Sequence, residues 1–425
     1  MPLKVAKFGG TSLADAAAIL RVREIVLADA TRRIIVPSAP GKRRNEDVKV
    51  TDLLLKSAEE LEKSEKSESL CDVKKRFLDI AEPLSLSFRE SLFDEIADEY
   101  LKHKNLSYLL SRGEYLMGKL LAELLGFSFV DAADVIFFDE NGLPDTKKIR
   151  ENVSRILQNC DKIVVPGFYG TDVDGLVKTF SRGGSDITGA LLAEAANAAL
   201  YENFTDVPGV FSASPRIVAS PRKIPYLSYR ELRALSCLGA SVLHEDAVFA
   251  VRRAKIPIRI SNTFHPEEGG TTVSGDEKLL RGGGAVLGLS GKDGYSLLIL
   301  RRLYGREAET EQNRFFKTLS ESGFKTEHIS LSTDTLSLCL YGGEKRLSDS
   351  VVLPENAVIC REGLSLLSVV GDPALSVMAT IFKTLGKTTP EVLFAEKSPD
   401  GLNFYICVPS DYLSIVIRAL YDVLF

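Results

Sequence analysis

The sequence is short of the side chains that build disulfide frameworks and metal centres. Among its 425 residues, six are cysteines that lie far apart without a Cys-x-x-Cys pair, and four are histidines that are equally scattered. This spacing argues against a disulfide-stapled domain and a zinc site, and it favours reduced thiols in a cytoplasmic protein. Each histidine is interpreted as a surface or packing residue. Any metal is therefore expected to arrive with a nucleotide, without ligands from protein side chains.

Long apolar runs and an excess of basic charge are missing as well. No run approaches the ~20 residues that a membrane helix needs, and the N-terminus lacks the apolar region of a signal peptide. The formal net charge of −5 gives no reason to expect a nucleic-acid or membrane partner. Apolar residues at 45% and charged residues at 26% are typical of a soluble globular protein, and the length predicts two or three domains.

The first apolar run ends in Lys-Phe-Gly-Gly-Thr-Ser, residues 7–12, which is a candidate phosphate site. A predicted strand over 4–8 leads into two glycines, which allow a positive φ or a close backbone approach. One of the two hydroxyl residues that follow is expected to cap a helix over 13–28. A helix N-terminus offers free N–H groups and a positive dipole end to an anion, and Lys7 adds a full charge. The same residues also fit an ordinary strand–turn–helix connection, and a short glycine motif does not decide between the two.

Strand and helix patterns alternate along the first 260 or so residues, which predicts a parallel sheet covered by helices. The turns that follow the predicted strands come after Phe8, Val36, Val165, Phe180 and Phe204. Because open α/β sheets bind ligands beyond the carboxyl ends of their strands, these turns are expected to face one cleft.

Two further stretches carry charged side chains into predicted helix entrances. Ser-Arg-Gly-Gly-Ser-Asp at 181–186 is a second glycine turn, here paired with an arginine and an aspartate. Ser-Arg-Gly-Glu at 111–114 is expected to put the Glu114 carboxylate at a helix start, where stabilisation of the helix dipole is the plain alternative to a binding role.

The pattern changes near the Gly-Gly-Thr-Thr stretch at 269–272, and Arg-Gly-Gly-Gly at 281–284 is expected to be a hinge. Beyond it, strand, helix and a strand pair occur twice, which predicts two βαββαβ units that pair through their sheets. The predicted domains are 1–274, then a unit over 285–360, and a second unit over 361–425, to which the leading strand 285–291 of the first unit is the alternative assignment.

With these pieces in order, the chain resembles monofunctional aspartate kinases along essentially its whole length. The motifs that carry the resemblance are residues 7–12, 181–186, Thr-Asp-Val-Pro-Gly at 205–209, Gly-Ala-Ser-Val-Leu-His at 239–244, and the closing segment 408–425. The resemblance implies an amino-acid kinase α/β fold, with a parallel-rich sheet between helices, followed by tandem ACT-type α+β units. The implied reaction is ATP-dependent phosphorylation of the aspartate side-chain carboxylate, the first step towards lysine and diaminopimelate, methionine and threonine.

The resemblance also implies roles for individual residues. The implied catalytic residues are Lys7, Arg182 and Asp186. The implied ATP and phosphate contacts are Lys7, Gly9, Gly10, Thr11, Ser12, Thr205, Asp206, Phe211, Arg216, Ser241 and Val242. The implied aspartate contacts are Ser38, Thr51, Glu114 and Arg182. An arginine suits a carboxylate because its guanidinium binds both oxygens, and Mg²⁺ is expected to bind through the phosphates.

Five positions depart from the pattern that the resemblance leads one to expect. Serine replaces a glycine at Ser181, an aspartate at Ser214 and a lysine at Ser241. Phenylalanine replaces a tyrosine at Phe211, and glutamate replaces a proline at Glu245. The missing lysine removes one cation from the neighbourhood of the nucleotide phosphates.

The tandem ACT-type units imply feedback by an end-product amino acid, with lysine favoured, and a homodimer or larger assembly. Glu327 and Ser332 are the implied effector contacts, and a plain dimerisation module is the alternative. A P-loop kinase is disfavoured because Ile381 stands where the first glycine before 386–388 belongs. Acetylglutamate and glutamate kinases would not carry ACT units. A catalytically weak, amino-acid-sensing protein remains the alternative from a different functional class.

Overall fold

The computed structural model describes residues 2–44, 46–181, 183–239, 243–275, 286–301, 306–371 and 373–425, and of residues 306–309 and 311 only the backbone. These residues form two compact units. Unit 1 holds the described residues of Met1–Val210, Lys223–Arg230 and Val242–Arg281, and unit 2 holds those of Phe211–Arg222, Glu231–Ser241 and Gly282–Phe425. The domain limits predicted from the sequence stay a prediction, and the predicted hinge at 281–284 lies outside the described residues.

Strands and helices alternate in the first 275 residues. The strands are β1 (Lys4–Phe8), β2 (Arg32–Pro37), β3 (Ser128–Phe129), β4 (Ile163–Val164), β5 (Tyr169–Thr171), β6 (Val177–Thr179), β7 (Leu200–Thr205), β8 (Val210–Phe211), β9 (Lys223–Ile224), β10 (Tyr226–Ser228), β11 (Ile258–Asn262) and β12 (Thr271–Ser274). The helices are α1 (Ala16–Leu27), α2 (Val50–Ser64), α3 (Glu68–Ala81), α4 (Leu92–His103), α5 (Leu106–Leu125), α6 (Thr146–Asn159), α7 (Gly184–Ala195), α8 (Tyr229–Cys237) and α9 (Glu245–Arg253).

An eight-stranded sheet in the order β10-β12-β11-β7-β1-β2-β4-β3 organises unit 1. Neighbouring strands are parallel except β11 and β12, which are antiparallel. The carboxyl ends of β1, β2, β4 and β7 therefore lie at one edge of the sheet. The α/β architecture with a parallel-rich sheet, predicted from the alternating pattern, is confirmed.

Alternate residues of β1 face opposite sides of the sheet, as the pleat of a strand requires. Ala6 and Phe8 are buried in a core to which helices α1 to α5 contribute. Lys7 reaches the other side, where α7 packs on β1 and β2 and Asp186 meets its ammonium group. The pleat of β1 thus places the Lys7 ammonium on the side of the sheet that α7 covers, against the first turn of that helix.

The helix after β1 begins later than the sequence pattern predicts. Residues Gly10–Leu13 form a short 3₁₀ turn, and α1 starts at Ala16. The predicted cap at Thr11 or Ser12 is wrong, because Asp15 Oδ1 accepts the hydrogen bond from the N–H of Ala18 at 2.9 Å. Carboxylates are as good as hydroxyls at this position.

Helix α5 also differs from its prediction. It begins after Asn105, whose side chain accepts from the N–H of Tyr108 at 3.0 Å, and it ends at Gly126 with φ at 66°. Glu114 therefore lies in the middle of a 20-residue helix, and the prediction that it stands at a helix start is wrong. The Arg-Gly pair before Glu114 is typical of a boundary, yet here the glycine is needed for packing inside the helix.

One of the five turns expected at the common edge of the sheet lies elsewhere. Phe180 follows β6, which pairs only with β5 in an antiparallel two-stranded sheet. Its N–H donates to the carbonyl of Phe168 at 2.9 Å. The hairpin, rather than a strand of the main sheet, leads the chain into α7.

Unit 2 is built on a six-stranded antiparallel sheet in the order β14-β15-β13-β16-β18-β17. Its strands are β13 (Val286–Arg301), β14 (Lys325–Leu331), β15 (Thr335–Tyr341), β16 (Ala357–Gly371), β17 (Phe394–Lys397) and β18 (Asn403–Pro409). Its helices beyond residue 305 are α10 (Arg306–Glu321), α11 (Leu347–Ser350), α12 (Leu375–Thr388) and α13 (Leu413–Leu424). The order strand, helix, two strands occurs twice, so the α+β prediction for this region is confirmed.

The two long strands β13 and β16 pair with each other at the centre of this sheet. Leu298 and Leu300 of β13 face a core that includes residues of α10, whereas Tyr295 and Leu297 face a separate cluster. The period of two along β13 therefore sorts its side chains between the two faces. In the part of the chain that the structure describes, no helix has the length and apolar character to cross a membrane.

Candidate active site

The turn after β1, here called the glycine turn (residues 9–13), begins at the carboxyl edge of the unit 1 sheet. Gly9 has φ at −72°, so a positive φ is not the reason for this glycine. Its N–H donates to the carbonyl of Phe204 at 2.9 Å. A Cβ on Gly10 would lie 2.9 Å from the carbonyl oxygen of Ala39 and 3.2 Å from Gly41 Cα. Close backbone approach is therefore what the second glycine provides.

Lys7 lies in a buried polar cluster with Asp186 and Asn203. Its Nζ is 2.6 Å from Asp186 Oδ1 and donates to Asn203 Oδ1 at 3.4 Å. Asn203 Nδ2 donates to the same Asp186 Oδ1 at 3.2 Å. The side chains of Lys7 and Asp186 are 10% and 15% exposed, so this cluster is largely desolvated yet open on one side. Water screens an ammonium group in that position little, although the Asp186 carboxylate offsets part of its attraction for an anion.

The helix that supplies Asp186 is anchored at its first turn. Gly183 precedes it with φ at 60°, and a Cβ there would lie 2.5 Å from the His244 side chain. The hydroxyl of Tyr201 donates to the backbone carbonyl of Asp186 at 3.1 Å. The close packing at Gly183 and the hydrogen bond from Tyr201 together hold the Asp186 carboxylate opposite Lys7.

Glu114 is a buried carboxyl group near the same edge. Its Oε2 has no hydrogen-bond partner among the described residues. Burial raises its pKa to about 8, although the N–H of Ala39 hydrogen-bonds the carboxylate and partly opposes the rise. A buried carboxyl group with one unpartnered oxygen is suited to bind a cation that supplies both a positive charge and hydrogen-bond donors.

Ala39 connects the carboxyl group to the glycine turn. A Cβ on Gly113 would lie 2.8 Å from Ala39 Cβ, and a Cβ on Gly10 would lie 2.9 Å from Ala39 O. The loop is held further because the N–H of Gly41 donates to Gly10 O at 2.8 Å. The backbone around Ala39 is thus fixed between α5 and the glycine turn.

The other predicted substrate and phosphate residues of unit 1 have these positions. Ser38 directly follows β2 and its N–H donates to Phe8 O at 3.1 Å, while Thr51 is the second residue of α2. Thr11 is exposed, whereas the buried hydroxyl of Ser12 shares a 2.6 Å hydrogen bond with Thr263. Thr205 ends β7, and its hydroxyl donates to the exposed Asp206 carboxylate at 3.2 Å.

The remaining predicted residues are either outside the described residues or in unit 2. Arg182, Ser241 and Val242 lie outside the described residues. Phe211 and the exposed Arg216 belong to unit 2. In the same unit, Glu327 is exposed on β14, and Ser332 lies in the β14–β15 turn with its hydroxyl 2.6 Å from Thr335 Oγ1.

Asn203 and Ala39 are the residues that sequence reasoning missed. Asn203 is a buried polar residue that, with Glu202, lies between the aromatic Tyr201 and Phe204 in β7, and this contrast is the signal that could have found it. Its pairing with Lys7 follows from the parallel register of β1 and β7. Ala39 carries no chemical signal, because its contribution is its small size. Across the described ranges, no group of three or more His, Cys, Asp or Glu side chains is arranged to hold a metal ion.

Comparisons with known proteins agree on one family. The model of the amino acid kinase family matches residues 2–262. Aspartokinase 3 of Bacillus subtilis is 35% identical over 399 residues, which cover 87% of this chain and 86% of that protein. The crystal structure of Clostridium acetobutylicum aspartate kinase is 33% identical with a TM-score of 0.90, and 100% of each chain is covered.

Two crystal structures of Escherichia coli aspartokinase III are similar as well. The complex with aspartate and ADP in the R-state has a TM-score of 0.81 at 27% identity, covering 100% of both chains. The complex with lysine and aspartate in the T-state has a TM-score of 0.76 at 26% identity, covering 100% of this chain and 99% of that one. This chain therefore belongs to the aspartokinases, within the amino acid kinase family, and it is an aspartate kinase.

Proposed function

We propose that this aspartate kinase transfers the γ-phosphoryl group of ATP to the side-chain carboxylate of L-aspartate at the carboxyl edge of the unit 1 sheet. The products are 4-phospho-L-aspartate and ADP. The observation that carries the proposal is the buried cluster of Lys7, Asp186 and Asn203 beside the glycine turn. Such a cluster offers a fixed, poorly screened positive charge where transferred phosphate oxygens would lie.

The chemistry asks mainly for position and positive charge. An oxygen of the aspartate carboxylate attacks the γ-phosphorus, and the bond from that phosphorus to the ADP oxygen breaks. No general base is needed, because the attacking carboxylate is already ionised at neutral pH. Charge in the transition state is spread over the equatorial phosphoryl oxygens, and Lys7 is proposed to stabilise it.

The backbone of the glycine turn is proposed to hold the phosphates. Gly9 N–H is engaged with Phe204 O, so the free donors of the turn are proposed to be the N–H groups of Gly10 and Thr11. The first N–H groups of a helical turn have no partner inside the turn and suit an anion. The absence of a Cβ on Gly10 supports this assignment, because it keeps the backbone open to a close approach.

Glu114 is proposed to receive the substrate ammonium group. Its buried and partly unpartnered carboxyl supports this role, because a bound ammonium would restore both a counter-charge and a donor. Ser38 and Thr51 are proposed to complete the aspartate site, and Arg182 to hold a carboxylate of the substrate.

The nucleotide is proposed to be ATP, since E. coli aspartokinase III was crystallised with aspartate and ADP. The proposed nucleotide contacts beyond the glycine turn are Thr205, Asp206, Phe211, Arg216, Ser241 and Val242. Mg²⁺ bound through the phosphates would neutralise part of their charge, and it usually keeps several waters in such sites.

Lys7→Ala tests the site assignment. Loss of one stabilising charge at a phosphoryl group is expected to lower kcat by about 100-fold or more. Lys4→Ala is the matched control, because Lys4 starts the same strand and pairs with Asp29 at 2.6 Å, away from the glycine turn. ADP release is measured with aspartate, glutamate and acetylglutamate as acceptors. Near-normal turnover of Lys7→Ala with aspartate would overturn the assignment.

We also infer that unit 2 subjects the enzyme to feedback by an end-product amino acid, with lysine favoured, in a homodimer or larger assembly. Support comes from E. coli aspartokinase III, which was crystallised with lysine and aspartate in a T-state. Glu327 and Ser332 are the proposed effector contacts. Feedback that acts on affinity requires that lysine and aspartate weaken each other's binding by the same factor. Aspartate kinetics that stay unchanged on titration with lysine and then threonine would leave unit 2 a structural role.

A further inference from the structure

We propose that Asn203 is a positioning residue for phosphoryl transfer, whose side-chain amide holds the Lys7 ammonium and the Asp186 carboxylate in one fixed arrangement. The inference rests on the proposed role of Lys7 at the transferred phosphate. It concerns a residue that touches neither substrate in that proposal and acts through Lys7.

The sheet register brings Asn203 to this place. In the parallel pair β1–β7, Lys7 lies opposite Asn203, so both side chains leave the same face of the sheet. Asn203 is 1% exposed, so its amide is shielded from bulk solvent. Its neighbour Glu202 faces the other side and binds Arg32 at 2.7 Å. The strand therefore separates a structural ion pair from the polar cluster beneath α7.

The amide serves two partners of opposite charge. Its oxygen accepts from Lys7 Nζ at 3.4 Å, and its nitrogen donates to Asp186 Oδ1 at 3.2 Å. The reverse orientation would set the NH₂ group against an ammonium and the oxygen against a carboxylate. The two contacts thus fix the amide, and the amide in turn restrains both charged groups. Tyr201, two residues earlier on the same face, holds the backbone of Asp186.

The neutrality of asparagine matters for the charge of the cluster. Lys7 and Asp186 cancel formally, so the cluster of three side chains is neutral, and Lys7 remains the only cation in it. The facing groups are Lys7 from β1, Asp186 from α7 and the Tyr201 hydroxyl from β7, while β11 offers the apolar Ile260 opposite Asn203. An ionised carboxylate at position 203 would make the cluster negative and repel phosphate. A protonated carboxyl there would donate and accept as the amide does.

Two substitutions separate positioning from folding. Asn203→Leu removes both contacts and is expected to lower kcat by at least about 10- to 100-fold, which is the effect of losing a single hydrogen bond to a charged group. The kcat of Asn203→Asp is expected to be reduced to a similar extent at pH 8. Relative to the kcat of the wild type, it is expected to recover at least about 5-fold by pH 6, because two neighbouring carboxylates share a proton at the lower pH and the protonated group replaces the amide. The KM for aspartate is expected to change little in either variant, since Asn203 acts on the phosphate side.

The control is Asn403→Leu, a buried strand asparagine of unit 2 whose Oδ1 accepts from Ser368 at 3.0 Å. It is expected to lower thermal stability and to keep the wild-type pH profile of kcat. The inference on Asn203 fails if Asn203→Leu turns over normally, or if Asn203→Asp follows the wild-type pH profile with only a lower stability. The proposed function fails separately, through an active Lys7→Ala. An inactive Lys7→Ala beside a normal Asn203→Leu would overturn this inference alone.

Discussion

Aspartate binding is expected to release a proton from Glu114. The pKa of this carboxyl is raised to about 8 because it is buried with one oxygen unpartnered. At pH 7 about nine in ten free molecules therefore carry it protonated. An ammonium ligand needs the ionised form, so the apparent affinity for aspartate at pH 7 is expected to be about tenfold below that of the fully ionised enzyme. Affinity should rise with pH up to about 8 and then level off.

The same pKa makes the free enzyme less stable at high pH. The ordinary value for this carboxyl is 4.5, so between pH 4.5 and 8 the folded state binds more protons than the unfolded state. The free energy of unfolding therefore falls as pH rises through this window. This loss of stability is absent below pH 4.5 and complete above pH 8, where it amounts to at most about 5 kcal/mol for a pKa shift of this size. Glu114→Gln should remove the loss and be more stable than wild type at pH 8.5, with the difference shrinking towards pH 5.

Calorimetric titration of aspartate in the presence of an unreactive ATP analogue measures both effects on binding. Titrations between pH 6 and 8.5 give the slope of affinity, and buffers of different ionisation enthalpy give the number of protons released. Glu114→Gln should bind aspartate weakly, with an affinity that does not change with pH. Glu123→Gln is the matched control, because Glu123 is exposed on the same helix and accepts from the N–H of Ser87 at 2.9 Å. An affinity that is flat from pH 6 to 8 in the wild type, or a slope that survives in Glu114→Gln, would refute the reasoning.

Two further substitutions test the frame around the site. Gly10→Ala puts a Cβ 2.9 Å from Ala39 O, so kcat should fall by at least about 10-fold in the ADP-release assay, since an active site tolerates little displacement. Its control is Gly386→Ala in α12, where a Cβ meets nothing within 4 Å; turnover should stay normal. Glu202→Gln leaves the partly buried guanidinium of Arg32 without its carboxylate, which should cost up to about 3 kcal/mol in denaturant unfolding while the folded enzyme stays active. Unfolding at the wild-type denaturant concentration would contradict that stabilising role.

The sequence pattern predicts the sheet well, because β1, β2, β4 and β11 carry short apolar runs that small or polar turn residues follow. The motifs single out both Lys7 and Asp186, and their contact follows once β1 and the start of α7 are adjacent. Element boundaries were harder. The cap of α1 was misplaced because Thr11, Ser12 and Asp15 are all good capping residues, and only the 3₁₀ turn between them decides which one is used.

Asn203 was out of reach for a different reason. Its partners are distant in sequence, and the parallel register that sets Lys7 opposite Asn203 is a property of strand pairing rather than of either strand. A one-residue slip would turn Asn203 to the other face and Glu202 towards Lys7. The bidentate pair of Arg32 with Glu202 on that other face opposes the slip, because it would leave both charges unpaired. A structural ion pair on one face thus helps to fix a functional amide on the other.

Gly113 shows why a locally unfavourable residue belongs inside α5. A glycine in a helix interior costs about 1 kcal/mol relative to alanine. Here a Cβ would lie 2.8 Å from Ala39 Cβ, so any larger residue would push the Ala39 loop away from the helix. The same loop touches Gly10 on its other side and hydrogen-bonds Glu114. The spacing between the proposed ammonium site and the proposed phosphate site is therefore set by three small residues in contact. Phosphoryl transfer depends on reacting atoms within about 3–3.5 Å. The glycine at position 113 therefore lowers the stability of α5 but keeps a fixed distance between the proposed ammonium site and the proposed phosphate site.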